Sequence, residues 1–416
     1  MGMRRDRGLE GLRGAACLTV VVAHLVLLYT VIDGRAASTV DAIIGEGLLA
    51  ANHALTFFFA LSGYLLYKPF ATYLLGGPRR PSIRAFYRNR VLRVFPGYWV
   101  ILAVAGFVLG ATVVETSQQS AGETYQTEAI GYLTNPLQLF TDFTLLHGYT
   151  TEVPRGIPPS WSLVPELAFY AILPLLFLAV LPLLASGRRS TKQDSLMAAL
   201  LPGLLLVVVG LIGYEVAHHL LVADAQGIHV ETGPSRLYHS FVAVCSAFGY
   251  GMIAAVVVAR LGQAPDPVAV RRVRRVCVAL VVFGVVTYLP ARVLGQDLVV
   301  MAPAMAALMP YTVLPHRGRL AGLWLKVAEW KPLDRAGTIS LSLYLWHYPV
   351  MLFLAKHFPD LRYTSLGGFL VAALATLPLC WVLSEVTYRF VEMPALARKK
   401  AVVPTSETAV HATTRA

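Results

Sequence analysis

The stretch GLEGLRGAACLTVVVAHL, residues 8–25, opens a long apolar run and decides the class of fold. A run of this kind is typical of a helix that crosses a lipid bilayer, which needs about 20 residues. Two ionisable side chains interrupt it, Arg13 at its entrance and His24 well inside. Titratable groups at membrane depth are costly, so their presence indicates a functional site by default.

The composition of the whole chain indicates a membrane protein. Of its 416 residues, 56% are hydrophobic and only 14% are charged, and the mean hydropathy is +0.61. These values are too apolar for a soluble protein of this size. We predict an all-α polytopic membrane protein with about ten transmembrane helices around a central cavity. The predicted spans are 14–32, 52–75, 96–114, 161–185, 197–217, 239–259, 276–294, 298–315, 338–355 and 366–388.

The distribution of cations predicts the orientation, because Lys and Arg are retained on the cytoplasmic side of a membrane. With the N-terminus inside, 29 of the 35 Lys and Arg residues fall in cytoplasmic segments. We therefore expect both termini inside and residues 115–160 outside, where they are long enough to cap a cavity. The same bias accounts for the net charge of +12, together with contacts to anionic lipids. A nucleic-acid partner is therefore a poor hypothesis.

The spacing of Arg13 and His24 places both side chains on nearly the same helix face. Eleven residues correspond to about 16 Å of rise and about three turns. With Arg13 at the cytoplasmic interface, His24 reaches the middle of the bilayer. Two interpretations stay open at this point. His24 is either a functional group that faces a wet cavity or a neutral histidine that hydrogen-bonds between helices.

Polar side chains recur at two further spans. In FYRNRVLRVFPGYW, Arg90 and Arg93 lie one turn apart on the predicted cytoplasmic side. Their guanidinium groups suit phosphates, although either residue alone is also typical of a positive-inside arginine. In PPSWSLVPELAFY, Glu166 lies about one turn into a span, where a carboxylate needs a partner. Trp161 of the same stretch is equally typical of an interfacial aromatic belt.

A second histidine, His347, lies within the predicted span TISLSLYLWHYPV beside Ser340, Ser342, Tyr344 and Trp346. Packing alone rarely selects so many polar side chains in one apolar segment. The four cysteines are scattered and show neither zinc spacing nor a disulfide framework. We therefore expect no metal site.

Six motifs occur along the chain in a fixed order: GLEGLRGAACLTVVVAH, FFFALSGYLLYKPF, RNRVLRVFPGYW, SWSLVPELAFY, SLSLYLWHYPV and SEVTYRFVEMP. Together they resemble the membrane-bound acyltransferase 3 family, which includes bacterial O-acyltransferases of surface polysaccharides and of antibiotic sugars. The resemblance covers residues 8–395. Many members append a soluble esterase-like domain after the last span, and its absence from this sequence predicts a stand-alone enzyme. The predicted domains are a transmembrane acyltransferase domain, 1–395, and a disordered cytoplasmic tail, 396–416.

The resemblance implies transfer of an acyl group, usually acetyl, from cytoplasmic acyl-CoA to a hydroxyl. This reaction needs a base for the hydroxyl proton, and a neutral histidine suits that task. We expect His24 to be the base and Glu166 to be a catalytic carboxylate that can orient its ring, while the sequence leaves open which carboxylate lies beside His24. The phosphates of the coenzyme need cations, which Arg13, Arg90 and Arg93 supply at the cytoplasmic mouth.

Four further residues belong to the predicted substrate-binding set, namely Ser62, Trp161, Tyr344 and His347. The predicted partners are acyl-CoA as co-substrate, a carbohydrate or glycosylated acceptor, and membrane lipids. No bound cofactor is expected. The resemblance places the protein in the bacterial inner membrane as a multi-pass protein. The acceptor, the acyl chain length and the oligomeric state stay open.

A second class of function also stays open. In a proton-coupled transporter or flippase of a glycan or lipid-linked substrate, His24, Glu166 and His347 would relay protons. Such transporters tend to show repeat symmetry and broken helices in corresponding halves. The sequence shows no such halves, which favours the enzyme.

Overall fold

The computed structural model describes residues 8–30, 53–120, 123–150, 155–185, 192–225, 237–262, 265–315, 318–358 and 366–403. Fifteen helices and one hairpin account for most of these residues. They are α1 (Leu9–Thr30), α2 (His53–Leu74), α3 (Ile83–Ala103), β1 (Thr112–Ser120), β2 (Glu123–Gly131), α4 (Pro136–Thr144), α5 (His147–Thr150), α6 (Leu163–Ala185), α7 (Lys192–Ala225), α8 (Phe241–Leu261), α9 (Pro267–Val293), α10 (Asp297–Val313), α11 (Arg319–Ala328), α12 (Lys331–Thr338), α13 (Ser340–His357), α14 (Leu366–Thr387) and α15 (Met393–Ala397).

A helix lies at each of the ten predicted positions, which confirms an all-α polytopic membrane architecture. By length and apolarity, seven spans among the described residues can cross a membrane. The pair α12 and α13 makes an eighth if it is taken as one span, although it is bent by 79°. The helix α10 is apolar but shorter than a full span. This measure therefore gives seven or eight crossings, against the ten expected from the sequence.

The helices α2 and α8 form the centre of the bundle, where α8 packs against α2, α7 and α10. In α2 and α8, 61% and 72% of the most apolar 18-residue stretch is buried, compared with 22% in the peripheral helix α9. Small residues allow this close packing. A Cβ added to Gly251 of α8 would lie only 1.9 Å from the carbonyl oxygen of Ala60 on α2. A larger residue at Gly251 would therefore push the two central helices apart.

The helix that carries Arg13 and His24 is fixed in the same way. At Gly14, an added Cβ would lie 2.0 Å from the carbonyl oxygen of Leu333, because α1 crosses α12 in backbone contact. The chain then bends between α12 and α13, so that α13 also packs against α1. This bend places the polar face of α13 beside the histidine end of α1.

Two π turns redirect the chain, Val104–Leu109 after α3 and Tyr388–Glu392 after α14. Such turns interrupt the regular helical hydrogen bonds and occur frequently at functional sites. The second one carries Glu392, which is 1% exposed. Its carboxylate lies against α3, where it meets Arg93.

The segment expected outside the membrane contains the hairpin, in which Thr112 pairs with Gly131 and Ser120 pairs with Glu123, followed by α4 and α5. The Tyr98 hydroxyl of α3 donates to the carbonyl oxygen of Asp142 over 2.7 Å. This contact fixes α4 to the bundle.

The first residues of the predicted tail lie against α3. The Asn89 side chain donates to the carbonyl oxygen of Lys400 over 2.6 Å and accepts from its backbone N–H over 3.0 Å. The Ser82 N–H donates to the carbonyl oxygen of Val402 over 2.7 Å. Residues 404–416 of that tail lie outside the described residues.

Candidate active site

A cavity of about 110 Å³ opens between α1, α2, α3, α6 and α13. Six of the predicted site residues line it, namely Arg13, Ser62, Arg90, Arg93, Glu166 and Tyr344. Its walls also include Tyr170, Ser162 and Ser340. Residues from five helices therefore meet here, although they are up to 331 positions apart in the chain, as Arg13 and Tyr344 show. His24, His347 and Trp161 do not line this cavity.

Glu166 is bound by two hydroxyl groups. Its Oε1 accepts from the Ser62 Oγ over 2.9 Å and from the Tyr170 hydroxyl over 2.6 Å. A carboxylate inside a membrane needs such donors. Neither contact involves His24, so the described hydrogen bonds of Glu166 do not include the histidine. The physical reason is that Glu166 is already held by α2 and its own helix, whereas His24 meets a different neighbour.

That neighbour is His347. The His24 Nδ1 lies 3.3 Å from the His347 Nε2, and the two ring centroids are 5.0 Å apart. Tyr348 packs edge-on against His24, with centroids 5.6 Å apart. The two histidines that the sequence places in separate spans therefore form one pair, between α1 and α13.

The backbone partners of the two rings assign their tautomers. The His347 Nδ1 lies 2.5 Å from the carbonyl oxygen of Tyr344, and the His24 Nδ1 lies 3.0 Å from that of Val20. A carbonyl oxygen can only accept, so in both rings Nδ1 carries the hydrogen. The His347 Nε2 is then the acceptor that faces His24, and the one Nδ1 hydrogen of His24 is shared between this nitrogen and the Val20 carbonyl oxygen. The lone pair of His24 is on Nε2, which bonds to none of the residues that the structure describes.

Tyr344 connects the histidine pair to the cavity. Its hydroxyl donates to the carbonyl oxygen of Pro159 over 2.6 Å and lies 2.8 Å from the Ser162 Oγ. The Ser162 Oγ also donates to the Pro159 carbonyl oxygen over 3.2 Å, so both hydroxyl groups converge on that carbonyl. The ring of Tyr344 lies 5.6 Å from that of His347.

Trp161 lies outside the cavity lining and packs edge-on against His239, with ring centroids 4.5 Å apart.

The opposite end of the cavity is cationic. Arg13 pairs with Glu10 over 3.2 Å, and Arg93 pairs with Glu392 over 2.8 Å. Arg90 differs from both, because it forms no ion pair within the described ranges and its buried Nε has no hydrogen-bond partner there. Arg90 is therefore the arginine whose donors are most available to an anion.

A lysine that sequence reasoning missed joins this cluster. Lys399 interacts with Arg90, Arg93 and Arg13, and burial together with these like charges lowers its pKa from 10.5 to about 7. It follows α15 in a basic run, RKK, that resembles an ordinary positive-inside flank. Only the packing of that run against α3 brings the lysine close to these arginines. A bound anion would favour its charged form.

Outside the membrane-spanning helices, a buried chain of polar groups holds α4 and α5 against the start of α6. The Ser160 Oγ lies 3.2 Å from the His147 Nε2, and the His147 Nδ1 lies 3.6 Å from the Asp142 Oδ1. All three side chains are buried. Burial raises the pKa of Asp142 from 3.8 to about 7 and lowers that of His147 from 6.5 to about 4. Both groups are therefore stable in their neutral forms between these values.

The opposite shifts predict opposite pH slopes for two variants. The folded Asp142 binds its proton more tightly than the unfolded chain, so its contribution to stability is lost as the pH rises from about 4 to 7. The folded His147 binds its proton less tightly, so its contribution is gained from about pH 4 to 6.5. Relative to the unmodified protein, His147→Gln should lose stability with rising pH and Asp142→Asn should gain it, by at most about 1.4 kcal/mol per pH unit.

The measurement is the thermal unfolding midpoint in detergent at pH 4.5, 5.5 and 6.5, taken as the difference from the unmodified protein. Equal slopes of the same sign in both variants would contradict the assignment of the two neutral forms.

The described residues contain no group of three or more His, Cys, Asp or Glu side chains suited to a metal ion. The geometry instead offers a cationic cluster at the cavity and a histidine pair between α1 and α13. This is a suitable arrangement for an anionic donor and a proton transfer.

Sequence comparison identifies the group of proteins to which this arrangement belongs. A family model described as an acyltransferase domain matches residues 6–385, which is most of the chain. The chain belongs to this family, acyltransferase 3. Members of the acyltransferase 3 family therefore provide the relevant relatives, and the resemblance inferred from the six sequence motifs is confirmed.

Three curated relatives illustrate the match. The O-acetyltransferase OatA of Staphylococcus aureus is 22% identical, over 94% of this chain and 57% of its own length. The peptidoglycan O-acetyltransferase OatA of Listeria monocytogenes is 24% identical, over 93% and 55%. The putative peptidoglycan O-acetyltransferase YrhL of Bacillus subtilis is 23% identical, over 93% and 54%. The chain thus spans little more than half of their length. No solved structure gives a match.

Proposed function

We propose that this member of the acyltransferase 3 family is an integral-membrane O-acyltransferase. It moves an acyl group, acetyl by analogy with the relatives' names, from acyl-CoA on the cytoplasmic side to a hydroxyl group of a carbohydrate or glycosylated acceptor. The orientation with both termini inside and the bacterial inner membrane as location belong to the same proposal. It is supported by the 29 cations assigned to cytoplasmic segments.

The observation that carries the proposal is the histidine pair. The Nε2 of His24 has a lone pair and no partner among the described residues, which suits a general base. This nitrogen takes the proton of the acceptor hydroxyl while the oxygen attacks the thioester carbonyl. The C–S bond then breaks, and the proton passes from His24 to the leaving sulfur. Throughout, the His347 Nε2 accepts from the His24 Nδ1 and stabilises the charged ring.

The cationic end of the cavity supports an acyl-CoA donor. Arg90 is the cation best placed for its phosphates, with Arg13 and Arg93 on the same cavity and Lys399 in electrostatic contact with all three. Along α1, Arg13 and His24 are separated by about 16 Å. A phosphate group at the arginines and a thioester near His24 are therefore compatible with an extended donor. Ser62, Glu166 and Tyr344 line the same cavity as the arginines.

The transporter alternative has less support. It requires a proton relay through His24, Glu166 and His347, yet Glu166 bonds to Ser62 and Tyr170, whereas the two histidines bond to each other. The family to which the chain belongs is an acyltransferase family. The direct test is transfer of isotope-labelled acetyl from acetyl-CoA to a soluble carbohydrate by the purified protein. Substrate uptake into vesicles without transfer would support the transporter.

Within this assay, Arg90→Ala is expected to raise the KM for acyl-CoA by about tenfold, with a smaller change in kcat. The reason is the loss of a charge-assisted hydrogen bond to a phosphate, worth about 1.5–3 kcal/mol. Arg79→Ala provides the matched control, because Arg79 is exposed and does not line the cavity. An unchanged KM in Arg90→Ala, or an equal increase in Arg79→Ala, would contradict the donor site.

A further inference from the structure

A second large groove lies far along the chain from the active-site cavity and shares no lining residue with it. It has a volume of about 1060 Å³ and lies between the first turns of α9, the end of α10 and the start of α11. Four arginines line it, Arg271, Arg274, Arg275 and Arg319, and none of its lining residues is acidic. The groove therefore favours an anionic ligand.

Along α9 the groove changes from cationic to apolar. Arg271, Arg274 and Arg275 occupy its first part, and Val278, Ala279 and Val282 continue the same helix face. These positions follow the i, i+3, i+4, i+7 pattern of one face and extend over about 16 Å. The two valines are 47% and 54% exposed. A ligand that fits this face carries a negative group at one end and an aliphatic chain behind it.

Two contacts fix the position of the Arg274 guanidinium in the groove, where it can bind a negative group. Its guanidinium lies over the Tyr311 ring at 4.6 Å and donates to the carbonyl oxygen of Pro315 over 3.3 Å. Arg271 and Arg275 are exposed and form no ion pair with any residue that the structure describes. The neighbouring carboxylate, Asp266, accepts from the N–H groups of Val268 and Ala269 at the start of α9. Asp266 interacts electrostatically with Arg271 and Arg272 but does not line the groove.

The helix α11 indicates where the groove lies relative to the membrane. Leu323 and Val327 are 59% and 53% exposed on a helix that also carries Arg319 and Lys326. Exposed apolar side chains together with basic ones are typical of a helix that lies in the membrane interface. The Trp324 Nε1 donates to the Thr312 Oγ1 over 3.0 Å, which fixes α11 to α10. The arginines of the groove therefore lie at the level of the lipid headgroups.

From these observations we propose that the groove binds one anionic phospholipid of the adjacent leaflet. The phosphate lies among Arg271, Arg274, Arg275 and Arg319, and an acyl chain lies along Val278 and Val282. A free phosphate would leave the apolar half of the groove unused, whereas a phospholipid matches both halves. This site is independent of the proposed acyl transfer.

The test is retention of phosphatidylglycerol by the purified full chain, counted by native mass spectrometry after exchange against phosphatidylcholine. The double variant Arg271→Ala/Arg275→Ala should weaken retention by about 25-fold, since each cation near the membrane surface contributes about fivefold. The matched control is Arg260→Ala/Arg272→Ala, which removes the same charge from exposed residues outside the groove. This control should retain the lipid almost unchanged.

Two further arms identify the ligand. Dihexanoyl phosphatidylglycerol should bind more weakly than the long-chain lipid, because it leaves much of the apolar wall uncovered. Inorganic phosphate at millimolar concentration should not displace the long-chain lipid. Equal losses in the two double variants would overturn the proposal in favour of a diffuse surface charge. Displacement by inorganic phosphate would overturn it in favour of a phosphate site.

Discussion

Replacement of His24 by glutamine is expected to lower the rate of acyl transfer by about 10²–10⁴, while the protein still folds. Glutamine keeps the approximate size and can donate to the Val20 carbonyl oxygen, as the histidine does. It cannot accept a proton from a hydroxyl group. The measurement is kcat/KM for acetyl transfer by the purified variant, normalised to folded protein in a size-exclusion profile.

His357→Gln provides the matched control for this experiment. His357 is an exposed histidine on α13, the helix that also carries His347, and among the described residues its ring hydrogen-bonds only to the Phe353 carbonyl oxygen. Its replacement should leave the rate unchanged. Activity of His24→Gln within a few-fold of the unmodified protein would make His24 a structural histidine. The search for the base would then move to His347.

His347 is expected to position His24 rather than to take the proton itself. In the assigned tautomers, its Nε2 accepts from the His24 Nδ1 and its Nδ1 is bonded to the Tyr344 carbonyl oxygen. Both nitrogens are therefore already used. Only His24 retains a nitrogen that can approach a substrate.

The sequence predicts the elements that depend on local pattern. Apolar runs of about 20 residues locate the helices, because the bilayer requires that length. The spacing of Arg13 and His24 predicts that both lie on one helix about 16 Å apart, since helical rise depends on residue number alone. The number of crossings was less predictable. Prolines and a sharp bend between α12 and α13 alter span geometry without changing composition.

The partners of polar groups were harder to predict than their positions. The sequence places Glu166 and both histidines within spans, but the partner depends on which helix faces which. Ser62 is 104 positions from Glu166, and His347 is 323 positions from His24. Their pairing follows from the contacts of α6 with α2 and of α1 with α13. No local pattern contains that information.

The environments of Lys399 and Glu392 were also not predictable from local sequence patterns. Both belong to segments that the sequence presents as an ordinary cytoplasmic flank or the end of a motif. The π turn at the end of α14 directs Glu392 inward, and the following residues return to α3. These features depend on a local change of hydrogen bonding that hydropathy does not record.

The second large effect is expected at Arg93, and it concerns stability. Arg93 donates over 2.8 Å to the carboxylate of Glu392, which is 1% exposed and also accepts from the Ser342 Oγ over 2.5 Å. Arg93→Ala leaves this carboxylate buried with one neutral donor. Removal of one partner of a buried pair costs about 3–5 kcal/mol. We therefore expect a large fall in the thermal unfolding midpoint and in the folded yield.

The rescue experiment separates this role from phosphate binding. Glu392→Gln in the Arg93→Ala background removes the uncompensated charge, so the double variant should recover much of the lost stability. Arg90→Ala is the matched control on the same helix, because Arg90 has no ion pair to break among the described residues and should fold normally. A stable Arg93→Ala variant whose sole defect is a raised KM for acyl-CoA would contradict the structural role. Arg93 would then act as a phosphate ligand, and its ion pair with Glu392 would not be needed for folding.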